Sequence, residues 1–263
     1  MMRHFALTLG LLITLGTAPS AADSDASTRG YDIAKRADEI HAGFGDSIAD
    51  VTMVLTNARG ATAERQMTIK SLEVRDTKEG DRSLIVFERP NDVKGSALLT
   101  HAKLDASDEQ WMFMPAIKRV KRIASRNQAG PFMGSEFAYE DMTAPELEKY
   151  TYRHLRDEPC GQVVCHVLER RPVSVHSGYS RQEVWLDTKY LLSQKIHYFD
   201  RRNTHVKTLT FSQYRLYEGS FWRSHDMYMV NHKTKKTTRL VWGPYRFGNA
   251  FQGSDFSRAA LKR

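Results

Sequence analysis

Residues 48–74 read IADVTMVLTNARGATAERQMTIKSLEV. Val51, Met53 and Leu55 alternate with Thr52 and Thr56, and Met67 and Ile69 alternate with Thr68 and Lys70. A period of two belongs to half-buried strands, and the Ala58-Arg59-Gly60 turn between the runs predicts an antiparallel hairpin. Leu72 and Val74 fall out of phase with Met67 and Ile69. One extra residue near Ser71, a bulge that bends the strand, is the expected cause.

The same pattern recurs downstream. Further strands are expected at 83–88, 96–104, 110–114, 151–156, 163–170, 181–186, 194–201, 206–217, 224–231 and 237–242, most joined by short turns. Short connections favour neighbouring strands paired as hairpins, so the chain reads as an antiparallel meander in one domain. Helix is sparse. Residues 30–43 place Ile33, Ala37 and Ile40 at helical spacing and end on glycine, and shorter helical pieces are expected at 144–150 and 254–262. A sheet this large with few helices must curl round its own core or round a ligand.

Upstream, Arg3, the apolar run 5–15 and the small residues Thr17, Ala18, Ser20, Ala21 and Ala22 follow the order of a secretory signal peptide. The run is too short to span a bilayer, which takes ~20 residues. Residues 1–22 are therefore expected to be a cleaved leader, 23–29 a disordered lead-in, and 30–263 the folded domain, exported to the periplasm as a soluble species. A lipidation cysteine is not found beside the cleavage site. Cys160 and Cys165, separated by a turn carrying Gly161, are expected to form a disulfide in an oxidising compartment.

The 263-residue chain carries 39 Lys and Arg against 31 Asp and Glu, a net charge of +8 that falls by one when Arg3 leaves with the leader. Outside the cytoplasm such a surface meets lipid head groups and protein rather than nucleic acid. The apolar set is rich in methionine and aromatic residues, among them Met53, Met67, Met112, Met114, Met227, Met229, Trp111, Phe113 and Phe211. Methionine adapts to ligands of variable shape. An ordinary core has the same composition, and composition does not separate the two.

Residues 110–142 stand out. A strand bulky on both faces (Trp111 and Phe113, Met112 and Met114) stops at Pro115, and the cation pairs Lys118-Arg119 and Lys121-Arg122 follow. Ile117, Val120 and Ile123 recur between them. This strip fits contact with anionic head groups or a partner, and equally a charged edge strand that resists aggregation. Next comes the glycine-containing loop Phe132-Met133-Gly134-Ser135-Glu136-Phe137-Ala138-Tyr139-Glu140-Asp141, rich in large apolar side chains and expected to act as a lid or plug.

In Trp111-Met112-Phe113-Met114-Pro115, the run 118–123 and the loop 132–141, the sequence resembles the LolA-like outer-membrane lipoprotein-sorting proteins. The order of leader, N-terminal helix, long meander and tail containing Phe256 is similar too, so the resemblance covers essentially the whole chain after the leader. It implies a mainly β fold, a curved antiparallel sheet forming an incomplete, half-open β-barrel closed by the N-terminal helix and short helical segments. It also implies a hydrophobic cavity for the acyl chains of a lipid or lipoprotein, and an inner-membrane exporter of the resistance-nodulation-division type as partner. The residues expected to line the cavity are Met53, Leu55, Met67, Ile69, Trp111, Phe113, Phe132, Met133, Phe137 and Tyr139.

Two other functions compete. An enzyme finds little support, since GxSxG, HExxH, Walker and GxGxxG motifs are missing and His41, His101, His154, His166, His176, His197, His205, His225 and His232 show no metal-ligand spacing. No catalytic residue, cofactor or metal is expected. A non-transporting adaptor subunit of an exporter, its cavity filled by its own side chains, is the other.

Overall fold

The computed structural model describes residues 21–76 and 78–262. β1 (Asp46–Thr56) and β2 (Thr62–Leu72) pair antiparallel in unbroken register, from Asp46 opposite Leu72 to Thr56 opposite Thr62. Asn57 holds the turn, its Oδ1 accepting from the N–H groups of Arg59 and Ala61 at 2.9 and 3.1 Å. The bulge expected at Ser71 is not there. Leu72 is apolar and out of phase because it packs on the opposite face of the sheet, beside a second cluster formed by Leu84, Leu99, Trp111 and Phe256. The irregularity in β2 lies instead between Gln66 and Met67, where its pairing with the next strand shifts.

That next strand is β3 (Glu79–Arg89), followed by β4 (Ala97–Lys103), β5 (Glu109–Met114) and β6 (Arg119–Ile123). After residues 124–149 come β7 (Tyr150–Cys160), β8 (Val163–Pro172), β9 (Tyr179–Asp187), β10 (Ser193–Asp200) and β11 (His205–Ser212). A ribbon of β12 (Arg215–Tyr217) and β13 (Phe221–Arg223) precedes β14 (Asp226–Asn231), β15 (Thr237–Trp242) and β16 (Arg246–Phe247). The single strand expected at 206–217 is thus two, broken where Gln213 takes a φ of 55°.

One 14-stranded antiparallel sheet runs β6-β5-β4-β3-β2-β1-β15-β14-β11-β10-β9-β8-β7, with β16 alongside β1. Because β1 pairs with β15, the chain's first and last long strands meet in the middle of the sheet. The free edges are β6 and β7, neighbours in sequence. The sheet curls without closing, and residues 124–149 bridge the gap as short 3-10 turns and irregular chain packed on the concave core. This is the half-open barrel implied by the resemblance.

Helix α1 (Ala21–His41) covers part of the concave face with Ile33 and Ala34. It begins nine residues before Gly30, so residues 23–29 are helical rather than a disordered lead-in. Their anchors are tertiary: Arg29 pairs with Asp157 and Arg153 with Asp23, each at 2.9 Å, tying the helix to β7. The cleavage position expected after Ala22 falls at the helix start, and the rest of the leader lies outside the described residues. On the convex face, the tail turns Gly253–Phe256 and Ala260–Lys262 cover β3 to β5, burying Phe256 and Leu261 against Leu84, Leu99 and Trp111. The helical piece expected at 144–150 shrinks to the turn Leu147–Lys149. Cys160 and Cys165 are joined by a disulfide at the end of the β7–β8 hairpin.

Candidate functional site: a concave face divided between a plug and a cavity

Strand alternation settles which side chains face inward. Val51, Met53, Met67, Ile69, Ile85, Phe87, Leu98 and Met112 share the concave core. The loop 131–141 sits on them as a plug, with Phe132 at 0% exposure and Phe137 at 2%. Buried polar chain needs partners, and the plug draws them from several strands. Arg65 on β2 donates to the Met133 carbonyl oxygen. Gln110 on β5 donates to the Tyr139 carbonyl at 3.0 Å, and the Glu136 amide donates to Thr238 Oγ1 on β15 at 2.9 Å. Glu140 accepts from the Ser177 hydroxyl and the Gly178 amide at 2.7 and 2.8 Å, and Asp141 from the Tyr179 hydroxyl at 2.9 Å. Burial pushes both carboxyls above the usual carboxylate range.

Beyond the plug, under the C-terminal half of α1, the concave face is open. A cavity of about 650 Å³ runs between Ala34, Ala37 and His41 of the helix and Leu168, Val184, Leu186, Phe211 and Met227 of the sheet. A second chamber of about 410 Å³ extends toward Ile69, Phe137, Ile196 and Leu240. Phe211, Met227, Arg223 and Tyr245 border both, so the two chambers adjoin. Ligand cavities typically span ~300–1,000 Å³ with mostly apolar walls and a few placed polar groups.

Charged groups line both chambers: Asp81, Arg170 and Arg223 are common to the two, Asp38, Glu73 and Glu146 border the first, and Glu140 and Asp141 the second. The Arg223 guanidinium lies 5.1, 5.8 and 5.5 Å from the ring centroids of Phe44, Phe221 and Phe247, and desolvation lowers its pKa. Asp81, desolvated beside Glu146, is pushed up to about 7. Asp38 and Glu146 are raised as well, chiefly by burial. Glu73 goes the other way: against its desolvation, the amides of Gly43 and Gly45 and the Arg75 guanidinium hold its carboxyl below the ordinary value.

The residues expected to line the cavity divide by face. Ile69 and Phe137 border the second chamber. Met53 and Met67 are fully packed in the core, while Phe132, Leu55, Met133 and Tyr139 belong to the plug region and the core around it. Trp111 and Phe113 do not face the cavity. They alternate with the inward Met112 and Met114 and lie on the convex side under the tail, with Trp111 packed into the second cluster and Phe113 against it. Edge strand β6 splits its cations in the same way: Arg122 stands opposite Trp111, and Lys121 opposite Met112. Lys118, Arg119, Lys121 and Arg122 are all exposed, and Lys118 takes a φ of 51°. The sequence reading passed over Leu168, Val184, Leu186, Arg223 and Tyr245. Period-two alternation in 181–186 and 206–217 marks inward positions, but only the curl of the sheet decides which of them are left uncovered.

A crystal structure of an outer membrane lipoprotein-sorting protein domain from Vibrio parahaemolyticus superposes with a TM-score of 0.87 at 44% identity, covering 90% of this chain and 100% of that one. The chain belongs to the LolA-like outer-membrane lipoprotein-sorting protein family. A DUF1329 family protein from Desulfovibrio piger is similar at 28% identity and a TM-score of 0.85, over 90% of this chain and 99% of that one. A LolA superfamily protein from Nitrosomonas europaea shares the fold at 17% identity and a TM-score of 0.72, over 88% and 98% of the respective chains. The family model that matches residues 79–263 is described as "Uncharacterized protein". No curated protein matches the sequence. Among the described residues no helix is long and apolar enough to cross a membrane.

Proposed function

We propose that the protein is a soluble periplasmic carrier that sheathes the acyl chains of a lipid or lipoprotein in the space between α1 and the concave sheet. The observation that carries this reading is the pair of adjoining, largely apolar chambers bordered by Phe211 and Met227 in a lipoprotein-sorting fold. Burying an acyl CH2 is worth about 0.8 kcal/mol, so a sixteen-carbon chain left in water costs on the order of 12 kcal/mol. Crossing an aqueous compartment therefore requires a sheath. In this scheme an inner-membrane donor, an exporter of the resistance-nodulation-division type, loads the cavity. Release of the plug 131–141 then extends it over Met53 and Met67, and the exposed cations Lys118, Arg119, Lys121 and Arg122 touch anionic head groups or the exporter.

Mass spectrometry of organic extracts from natively purified protein, with titration of a fluorescent fatty-acyl probe, tests the reading. Co-purified acyl lipid and saturable probe binding are expected. Clean extracts together with no probe binding would overturn it. The rival adaptor reading draws support from the dense packing of Met53, Met67 and Phe132, and it predicts that second outcome with exporter binding intact.

A further inference from the structure

On the β7–β8 hairpin, outside the cavity lining but with His154 paired opposite the wall residue Leu168, two imidazoles and a carboxylate meet. His154 and Asp157 are three residues apart, and on a regular strand that separation puts side chains on opposite faces. The pairing of β7 with β8 shifts between His154 and Arg156. The extra residue, Leu155, brings His154 and Asp157 to one side, where His166 stands directly opposite Asp157. His154 Nε2 and His166 Nδ1 lie 2.8 and 2.6 Å from the same oxygen, Asp157 Oδ1.

We infer that His154, Asp157 and His166 form a binding site for a divalent transition-metal ion of the zinc class, with three protein ligands and an open fourth position. One ligand atom from each residue falls within 4.8 Å of the others. Neutral imidazole and carboxylate are the donors that Zn²⁺, Ni²⁺ and Cu²⁺ take, whereas Mg²⁺ and Ca²⁺ prefer oxygen alone. Bond lengths of ~2.0–2.2 Å in a tetrahedron set donors ~3.3 Å apart, so the carboxylate has to draw back by roughly 0.6 Å. Its side chain is the freest of the three at 38% exposure, against 11% for His154 and 19% for His166. The ion binds the two ring nitrogens that face Asp157, each imidazole ligating as the neutral tautomer with its N–H on the other nitrogen and any excess ring proton passing to solvent. Arg29 of α1 holds the outer oxygen, Asp157 Oδ2, at 2.9 Å and so aims Oδ1 at the rings, the part played by outer-shell partners of metal ligands.

The test uses the full mature chain without an affinity tag, stripped with chelator and titrated with Zn²⁺ by calorimetry, and with Co²⁺ followed by visible absorption. One equivalent of Zn²⁺ is expected, with a Co²⁺ spectrum of four-coordinate nitrogen and oxygen ligation. His154→Ala and His166→Ala should each weaken Zn²⁺ by more than the ~10–100-fold that loss of an outer-shell partner costs. His197→Ala, on the opposite face of the sheet, should bind as wild type. Asp157→Asn, which keeps the side-chain shape, decides the matter if the alanine variants fail to fold. Absence of Zn²⁺ binding, binding that survives the ligand substitutions, or an octahedral oxygen-only Co²⁺ spectrum would overturn the site.

Discussion

The ring of Phe132 lies 5.7 Å from that of Phe87, centroid to centroid, and both are sealed from solvent. The plug is therefore part of the core, and moving it means breaking core packing. Replacing a buried phenylalanine by alanine removes its transfer energy and leaves a void. Phe132→Ala should lower the unfolding free energy by about 3–5 kcal/mol. It should also raise amide exchange through residues 131–141, read by urea unfolding and hydrogen-exchange mass spectrometry.

Trp111 and Met227 separate stability from binding. Trp111 is packed under the tail on the convex face, and Met227 borders both chambers. Trp111→Ala should cost about 3–5 kcal/mol of stability while acyl-probe affinity stays unchanged. Met227→Lys sets a cation against the apolar wall and should weaken the probe at least tenfold. Equal probe affinity in Met227→Lys would remove the cavity from the binding role.

Gly30 marks where α1 lies on β7. A Cβ at this position would stand 2.6 Å from the main-chain carbon of Arg153 and the amide nitrogen of His154, so the helix has to lift. Gly30→Ala should destabilise by about 1–3 kcal/mol, the usual cost of overpacking. Faster amide exchange along residues 21–41 would report the lifted helix.

Asp81 gives the cavity region a pH dependence. Its folded pKa of about 7 lies above the ordinary carboxylate value because its charged form is desolvated beside Glu146. The folded state then binds the proton more tightly than the unfolded chain does. The contribution to stability is fully present below pH ~4 and is lost as pH rises through about 7. Asp81→Asn, whose Oδ1 can still accept the Val74 amide, should stabilise the protein at pH 8 and flatten thermal stability between pH 4 and 8.

The cations of β6 are exposed on a free edge. Each Lys or Arg near an anionic membrane is worth about 1 kcal/mol. Replacing Lys118, Arg119, Lys121 and Arg122 by glutamine should strongly reduce sedimentation with anionic vesicles without moving the melting temperature. Undiminished vesicle binding would take this role from the strip.

Much of the fold was legible because strand periodicity and turn chemistry are local. Residues 48–74 by themselves determine a hairpin with Met53, Met67 and Ile69 on one face, and the spacing of Cys160 and Cys165 specifies a short covalent loop. Which face is concave is not a local property. Trp111 and Met112 are equally apolar, and only the direction in which the sheet curls, with the tail residue Phe256 packed over Leu99 and Trp111, sends one outward and the other inward. The same holds for the void. Phe132 fills one part of the concave face and α1 roofs the other, so cavity and core differ by what lies above a side chain rather than by its type. His154 and His166 look scattered in sequence for a similar reason: one extra residue in β7 aligns them with Asp157, and sequence spacing alone does not encode that shift in register.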